Sequence, residues 1–357
     1  PAFIMVFMYT EPDVGWHWAV KRDYPPIYDV EEPIILGKEQ CAAFRKSTSD
    51  FRRAAPAGLP QHAGRELRLT QKNEIGAMRT LRHPHIVAVR EILEGEGTWI
   101  VMEHCEMDLF SFVVAQPDSC MAEADARCVV RGVAGGLDYM HGLGYSHLDV
   151  KPENILIDRR SGQPVPKLAD FGACQVHGRV LRGGGKFFSY LESLGTHHYM
   201  APEVLRLTLA KKENKEKLIP YDCRLVDVYA LGATLFTVLC GRHLHQERGR
   251  WTSGNRGLLA SQITHSLNLM DKPDRLDNLL SNSNRRSDLS SAARGLVHGM
   301  LVNDPLQRLK LKDVAGSEWL AEPQFEPEPL QRLLETHPRA SEKTQQPEPQ
   351  AGAEKEK

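Results

Sequence analysis

The sequence predicts an α+β protein of two lobes, in which a small, mainly antiparallel β lobe with one helix precedes a larger, mainly α-helical lobe. Two observations support this prediction. The first 105 residues hold short runs rich in β-branched and aromatic residues but only one helical pattern. From residue 106 to residue 320, apolar residues recur mostly at intervals of three and four, which is typical of helices packed on a core. Residues 321–357 are rich in Pro, Glu and Gln, and we expect them to be disordered.

The composition excludes several classes of protein. Of the 357 residues, 41% are hydrophobic and 25% are charged, as in ordinary globular proteins. The net charge of -1 gives no basic field that would attract nucleic acid or a membrane surface, so neither is an expected partner. The seven cysteines form no Cys-x-x-Cys pair, and an odd number suits a disulfide framework poorly. Reduced thiols are therefore expected, in the cytoplasm or the nucleus.

Two apolar segments resemble targeting or membrane signals only superficially. The N-terminal run has no basic region before it and no small-residue cleavage site after it, so we interpret it as a strand. The run from Leu225 to Cys240 is interrupted by Asp227 and is short for a bilayer, so a buried helix is predicted. The histidine pairs at 83/85, 197/198 and 243/245 lack the further ligands of a zinc site, and no zinc is predicted.

The first predicted strands are residues 3–9 and 16–22, separated by a cluster of turn-forming residues at 11–15. The second strand ends in Ala19-Val20-Lys21-Arg22, which places a lysine near a strand end. A lysine in that position is more often a solvated charge. A functional role for Lys21 therefore requires an acidic partner.

A helix predicted from Glu66 to Leu81 supplies such an acid. Leu67, Glu74, Met78 and Leu81 are spaced by seven, four and three residues and therefore share one face. Burying a lone carboxylate costs several kcal/mol unless a cation pairs with it. Glu74 thus needs a partner.

The segment between the strand and this helix, residues 23–65, is longer than such a connection usually needs. Its prolines and its basic run around residues 44–53 favour a mobile insertion. Lysines that could pair with Glu74 are Lys21 and, as substitutes for it, Lys38 or Lys46 within this segment.

A further strand is predicted from Thr98 to Glu103, and it leads through His104 and Cys105 toward Asp108. The next regular element is a helix over residues 122–141. Its core-facing positions step by three, four and three residues; they are Val130, Val133, Leu137 and Met140.

Four motifs follow in order. Residues 145–154 read Tyr-Ser-His-Leu-Asp-Val-Lys-Pro-Glu-Asn, and a predicted hairpin connects them to Asp170-Phe171-Gly172. Residues 195–203 read Gly-Thr-His-His-Tyr-Met-Ala-Pro-Glu, and residues 303–308 read Asn-Asp-Pro-Leu-Gln-Arg. These motifs closely resemble those of eukaryotic-type serine/threonine protein kinases, and the resemblance extends from roughly residue 3 to residue 320.

The resemblance implies the two-lobed protein kinase fold and transfer of the γ-phosphate of ATP to Ser or Thr hydroxyl groups of protein substrates. It gives catalytic roles to Asp149 as the base, to Lys151 and to the Lys21 and Glu74 pair. Backbone groups of Glu103 and Cys105 would bind adenine, and Asp108 would contact the ribose. The residues implied in ATP binding are Lys21, Glu103, Cys105, Asp108, Lys151, Asn154 and Asp170, of which Asn154 and Asp170 would hold Mg²⁺.

The chemistry of phosphoryl transfer explains why these residue types occur together. The reaction needs little covalent assistance, so a protein mainly aligns the attacking hydroxyl and neutralises charge on the phosphate oxygens. This requires a carboxylate near the hydroxyl, hard oxygen ligands for Mg²⁺ and a cation on the phosphates. Asp149 can supply the carboxylate near the hydroxyl. Asn154 and Asp170 can supply the oxygen ligands for Mg²⁺, and Lys151 can supply the cation.

Three structural roles also follow from the resemblance. Asp227 would accept backbone N–H groups of the catalytic loop, and Arg308 would pair with Glu203. The pattern of Lys151, with Thr196 positioned to hydrogen-bond it, resembles the pattern of serine/threonine kinases rather than that of tyrosine kinases.

Two departures from the family pattern bear on mechanism. No Gly-x-Gly-x-x-Gly loop precedes Lys21, so this loop either lies upstream of residue 1 or is absent, and ATP affinity or turnover should be weakened in this chain. Leu148 replaces the arginine that pairs with a phosphorylated activation loop in relatives. Phosphorylation of Ser189, Ser193 or Thr196 is therefore not expected to be the main switch.

Further expectations concern substrate and alternatives. Glu153 and Asp108 lie where basophilic relatives place acids, which predicts a mild preference for basic peptides. A pseudokinase that binds nucleotide as a scaffold, with little or no turnover, would have the same fold, and the missing glycine loop and the long insertion favour it. A small-molecule phosphotransferase is disfavoured by residues 195–203, which in protein kinases shape the peptide platform.

Overall fold

The computed structural model of the chain describes twelve stretches of residues. They are 3–11, 16–24, 34–35, 69–94, 98–116, 118–159, 164–176, 197–212, 221–244, 260–272, 274–281 and 289–321.

Among the residues that the structure describes, the first lobe holds one sheet and one helix. Its elements are β1 Phe3–Glu11, β2 Trp16–Tyr24, β3 Ile34–Ile35, α1 Leu69–Thr80, β4 Val89–Glu94 and β5 Thr98–Glu103. The strand order is β3-β1-β2-β5-β4, in which β3 pairs with β1 in parallel and the other pairs are antiparallel. A small, mainly antiparallel sheet with one helix is the architecture that the sequence predicts.

The predicted N-terminal hairpin is confirmed, and each of its strands extends two residues beyond the predicted end. Two residues of the predicted insertion, Ile34 and Ile35, form a short strand against Phe7 and Met8 of β1. The rest of that insertion lies outside the described residues. The predicted helix is α1, which the structure describes from residue 69 onward.

The second lobe is mainly helical, with short strands near its junction with the first. Its elements are β6 Met107–Asp108, α2 Leu109–Val114, α3 Glu123–Gly142, β7 Tyr145–Ser146, β8 Ile155–Asp158, β9 Val165–Leu168, β10 Gln175–Val176, α4 Pro202–Lys212, α5 Cys223–Cys240, α6 Ala260–Met270, α7 Arg275–Ser281, α8 Ser291–Met300, α9 Leu311–Ala315 and α10 Glu318–Ala321. Strands β6, β8 and β9 form one antiparallel sheet, and β7 pairs with β10.

Helix α5 forms the centre of this lobe, because every residue from Val226 to Cys240 is buried. Asp222 caps its first turn by accepting the Arg224 N–H at 2.9 Å. Gly241 ends it with φ of 63°, where a Cβ atom would lie 2.8 Å from the backbone oxygen of Ser119. In the described part of the chain this helix alone is long and apolar enough to cross a bilayer, and most of it is buried inside the protein.

Backbone hydrogen bonds join the two lobes near the site. The N–H of Val87 donates to Leu168 O, and the N–H of Leu168 donates to His85 O, both at 2.9 Å. Strand β9 is therefore tied to the segment that follows α1. The predicted helix over residues 122–141 is confirmed as α3, and its four predicted core positions are buried.

Part of the polar segment from residue 243 to residue 290 is helical, because it contains α6 and α7. Ile263, Leu267 and Leu280 of these helices belong to the buried core. The apolar positions 263, 267 and 270 keep helical spacing, but the intervening Ser, Thr, His and Asn residues obscure it in the sequence.

Candidate active site

The side chains predicted for the catalytic loop are buried and in mutual contact. Asp149, Lys151 and Asn154 are 4%, 9% and 6% exposed. The ammonium nitrogen of Lys151 lies 2.9 Å from Asp149 Oδ2. Asn154 Nδ2 donates to the same oxygen at 2.8 Å and to the backbone oxygen of Asp149 at 2.8 Å. One carboxylate oxygen of Asp149 is thus fixed by a cation and an amide.

The other carboxylate oxygen of Asp149 has a different environment. Asp149 Oδ1 is buried and accepts no hydrogen bond from the part of the chain that the structure describes. A buried carboxylate oxygen without a donor is costly and uncommon in folded proteins. Such an atom is suited to accept a proton from a molecule that binds beside it.

The loop is supported by Asp227 of α5, which is fully buried. Its carboxylate accepts the backbone N–H groups of His147 at 2.9 Å and of Leu148 at 2.7 Å. These bonds confirm the predicted structural role of Asp227. Leu148 has φ of 65°, an uncommon left-handed conformation for a residue with a side chain, and the bonds to Asp227 hold the backbone there.

Sequence reasoning missed a further partner of Asp227. Nε2 of His141, near the end of α3, lies 2.8 Å from Asp227 Oδ2. A fully buried carboxylate needs donors or a cation around it, and this requirement is the only sequence signal for such a residue. The identity of the partner follows from the packing of α3 beside α5.

Asp170 follows β9 and is brought close to Asn154 by the backbone. The N–H of Ala169 donates to Asn154 O at 2.9 Å, and Nε2 of His147 lies 3.0 Å from Ala169 O. Asp170 has φ of 59°, and its Oδ1 accepts the Gly172 N–H at 3.2 Å. The two predicted metal-binding residues therefore lie on segments in direct contact.

Helix α1 is attached to the turn that follows Asp170. Asn73 Nδ2 donates to Cys174 O and to Gln175 Oε1, each at 3.3 Å. The neighbouring Glu74 is buried, with 5% of its surface exposed. The helix that carries the predicted buried acid is thus fixed to the segment that carries a predicted metal ligand.

The position of Lys21 is described only through its backbone, which lies on β2 opposite Ile100 of β5. Ile100 belongs to the same apolar core as Met78 and Leu81, on the predicted buried face of the α1 region. The pairing of Lys21 with Glu74 stays a prediction. Predicted side chains that lie outside the described residues are those of Lys21, Lys38, Lys46, Ser189, Ser193 and Thr196.

A buried ion-pair network holds the end of β5. Glu103 accepts the Ala88 N–H at 2.7 Å, and Lys167 Nζ lies 3.0 Å from Glu103 Oε1. Lys167 Nζ also lies 3.6 Å from Asp158 Oδ2. The backbone N–H of Glu103 is also engaged, because it donates to Ala88 O at 2.9 Å. Binding of adenine by the backbone of Glu103 and Cys105 stays a prediction. Cys105, two residues later, carries a half-buried thiol.

Acidic groups gather beside the catalytic loop. Asp108 caps α2 through two bonds to Ser111, at 2.7 Å to its N–H and 2.8 Å to its hydroxyl. Desolvation raises the pKa of Glu153, and the carboxylates of Asp149 and Asp108 raise it further, although Lys151 acts in the opposite direction. Glu153 nevertheless keeps an exposed surface. The three carboxylates are therefore near enough to interact.

The segment that ends the motif at residue 203 is anchored by an ion pair. Arg308 donates to both carboxylate oxygens of Glu203, at 2.8 and 3.0 Å, and to Leu225 O at 2.8 Å. The guanidinium group is fully buried, and bidentate hydrogen bonds between arginine and a carboxylate are among the strongest in proteins. This confirms the predicted pair.

Comparison with known proteins gives one family. The sequence profile described as Protein kinase domain matches residues 61–320, more than half of the chain. Serine/threonine protein kinase OSK3 of Oryza sativa is 28% identical over 256 residues, covering 71% of this chain and 42% of that protein. The carbon catabolite-derepressing protein kinase of Saccharomyces cerevisiae is 28% identical over 249 residues, covering 70% of this chain and 32% of that protein.

A relative nearer in length is a probable myosin light chain kinase of Dictyostelium discoideum. It is 27% identical over 303 residues, which cover 82% of this chain and 76% of that protein. By contrast, the present chain spans less than half the length of the rice and yeast relatives.

Proposed function

The chain belongs to the protein kinase family, and we propose that it is an active serine/threonine kinase that transfers the γ-phosphate of ATP to hydroxyl groups of protein substrates. The observation that carries this proposal is the environment of Asp149. One of its carboxylate oxygens is anchored by Lys151 and Asn154, and the other is buried without a donor among the described residues.

The proposed step at Asp149 is a proton transfer. Oδ1 accepts the proton of the attacking Ser or Thr hydroxyl, while the bonds at Oδ2 keep the carboxylate in one orientation. Lys151 places a positive charge 2.9 Å from this base, where negative charge on the transferred phosphoryl group develops. Asp227 keeps the loop in place by binding its backbone.

The residues present fit a Mg²⁺ ion. The amide nitrogen of Asn154 is used in its bonds to Asp149, so its side-chain oxygen is directed to the other side of the amide group. Asp170 adds a carboxylate on the adjoining segment. Hard oxygen ligands of this kind suit Mg²⁺, which when bound neutralises charge on the ATP phosphates.

Transfer of labelled phosphate from ATP to a mixed protein substrate, with and without Mg²⁺, tests the proposal. We expect Mg²⁺-dependent labelling by the full chain and its loss in Asp170→Asn. Asp138→Asn, an exposed acid on α3, is the matched control and should label as the wild type does. Equal labelling by the wild type and Asp170→Asn would contradict the proposal.

A nucleotide-binding scaffold with little turnover is the second candidate. The family match begins at residue 61, so Lys21, the proposed phosphate-binding lysine, lies outside the matched region. An ATP-dependent rise in the unfolding temperature without any phosphate transfer would favour the scaffold. Transfer that depends on Asp170 would exclude it.

The acidic surroundings of the loop support a finer proposal, a preference for basic peptides. The carboxylates of Asp149 and Asp108 add to the raised pKa of Glu153, and Glu153 has an exposed surface that can meet a substrate cation. An array of peptides that showed a preference for acidic or proline-directed sequences would overturn this proposal.

Regulation is proposed not to depend mainly on phosphorylation of the activation loop. Leu148, at the position where many relatives have arginine, is 7% exposed and belongs to the apolar core. An apolar side chain there offers no cation to a phosphorylated loop.

We also propose that the protein works in the cytoplasm or the nucleus, where thiols stay reduced. The six cysteines in the described part of the chain support this, because they carry thiols and form no disulfide. Fractionation of cells with an antibody to the chain tests it, and recovery in the secreted fraction would contradict it.

A further inference from the structure

Three aromatic rings from two distant segments pack together beside the catalytic loop. The rings of His198 and His243 stack face to face, with centroids 4.4 Å apart and planes inclined by 1°. The ring of Tyr199 meets His243 edge-on, at 5.5 Å and 88°. Tyr199 is 4% and His243 is 9% exposed, whereas His198 is half-buried. The cluster joins residues 198–199 to the turn that follows α5.

This cluster lies at one end of a short segment whose other end is already anchored. Residues 198–203 begin at the histidine stack and end at Glu203, which Arg308 binds through two hydrogen bonds. Met200 and Ala201, between these two points, are buried. The segment is therefore held by an ion pair at one end and by stacked rings at the other.

The ring cluster is close to the catalytic base. Burial raises the pKa of the Tyr199 hydroxyl, and the carboxylates of Glu153 and Asp149 raise it further, which requires that they lie nearby. Pro152 of the catalytic loop also lines one small cleft with Thr237 and Gly241 at the end of α5. The turn that carries His243 thus adjoins the loop that carries Asp149.

We propose that His243 is a positioning residue for the acceptor substrate, because its ring holds residues 198–203 at a fixed distance from Asp149. The inference rests on the proposed kinase function and adds to it a residue outside the recognised motifs. The stacked faces of the rings supply this contact. A flat aromatic ring of similar size at position 243 should therefore support the segment, and a methyl group should not.

Steady-state kinetics with an acceptor peptide provides the first test. His243→Ala should raise KM for the peptide about three- to tenfold, the range expected from the loss of one aromatic ring pair. KM for ATP should stay unchanged, because the rings that His243 contacts belong to His198 and Tyr199, which are not among the residues proposed to bind ATP. His243→Phe should restore the peptide KM. An unchanged peptide KM in His243→Ala, or equal changes in both KM values, would overturn the proposal.

A double-mutant cycle tests whether the two rings act together. His198→Ala should raise the peptide KM as His243→Ala does, and the double variant should be no worse than either single variant, because the contact is already lost. Additive effects would show that the rings act independently and would also overturn the proposal.

A third measurement separates this inference from the proposed function. Amide hydrogen exchange of residues 198–203 should accelerate in His243→Ala and match the wild type in His243→Phe. If the wild type transfers no phosphate, the proposed function fails, but the exchange comparison still decides whether His243 holds the segment. Equal exchange in all three proteins would contradict the positioning role.

Discussion

The catalytic loop and the end of β5 are both held by a buried acid, but the two acids hold these regions through different groups. Asp227 accepts backbone N–H groups of His147 and Leu148, which every residue type except proline would offer. Glu103 binds one backbone N–H and the side chain of Lys167. Asp227 also contacts Nε2 of His141 at 2.8 Å, but its bonds to the loop itself are made to the backbone and so tolerate changes in the loop sequence. At the end of β5, the cation that Glu103 requires comes from one distant residue, Lys167.

This difference predicts how each region responds to mutation. Removing Asp227 leaves the N–H groups of His147 and Leu148 without their acceptor, and no second mutation can remove these donors because they belong to the backbone. Removing Lys167 leaves a buried carboxylate that a second mutation can neutralise.

Asp227→Ala should have the largest effect. Each buried N–H left without an acceptor costs about 1–3 kcal/mol in the free energy of unfolding. Displacement of the loop should also lower kcat by roughly a hundredfold or more, because small shifts of a catalytic group are costly. Urea unfolding and turnover measure the two effects. Asp222→Ala, in the exposed cap of the same helix, is the control, and turnover equal in the two variants would contradict the account.

Lys167→Met should destabilise the protein by about 3–5 kcal/mol, since Glu103 would be left buried with its cation removed. KM for ATP should rise more than kcat falls, because the end of β5 would shift. The double variant Glu103→Gln with Lys167→Met should recover part of the lost stability. Lys312→Met, an exposed lysine on α9, serves as the control. A double variant whose loss equals the sum of the two single losses would refute the proposed pairing.

Glu153→Gln should have a moderate effect that depends on pH. Because the pKa of Glu153 is raised, this carboxyl group takes up its proton at a higher pH than an ordinary glutamate does. As the pH falls toward that raised value, the wild type should lose negative charge, and its KM for a basic peptide should rise. The Gln variant should have a higher KM at neutral pH and lack this pH-dependent rise. Identical pH profiles for the two proteins would exclude a role for the Glu153 charge.

Phosphatase treatment should have the smallest effect. Leu148 gives a phosphorylated loop no cation at that position, so the treated enzyme should keep its turnover. Turnover before and after treatment, with removal of phosphate checked by mass spectrometry, measures this. Loss of activity that Thr196→Glu restores would contradict the prediction.

The sequence predicts much of the fold because its strongest patterns are local. Periodicity or turn residues within one segment predict four elements: the helices α3 and α5, the N-terminal hairpin and the β8–β9 hairpin. The contact of Asp227 with the catalytic loop and the contact of Arg308 with Glu203 each join residues that are far apart in the chain. Both contacts were predictable because these residues belong to recognised motifs.

What the sequence did not predict depends on packing between distant segments. His141, Lys167 and His243 gain their roles only when α3, β9 and the turn after α5 meet their neighbours. A histidine or lysine has many possible environments, and spacing along the chain does not select one. The same limit applies to Lys21, whose partner depends on side-chain placement.

The central claim is that the open oxygen of Asp149 accepts the substrate proton. The most direct measurement is Mg²⁺-dependent transfer of labelled phosphate by wild type and Asp149→Asn, together with ATP binding and urea unfolding of both. A loss of turnover of about a hundredfold or more is predicted for Asp149→Asn, while the variant stays folded and still binds ATP. Equal turnover in the two proteins would contradict the claim.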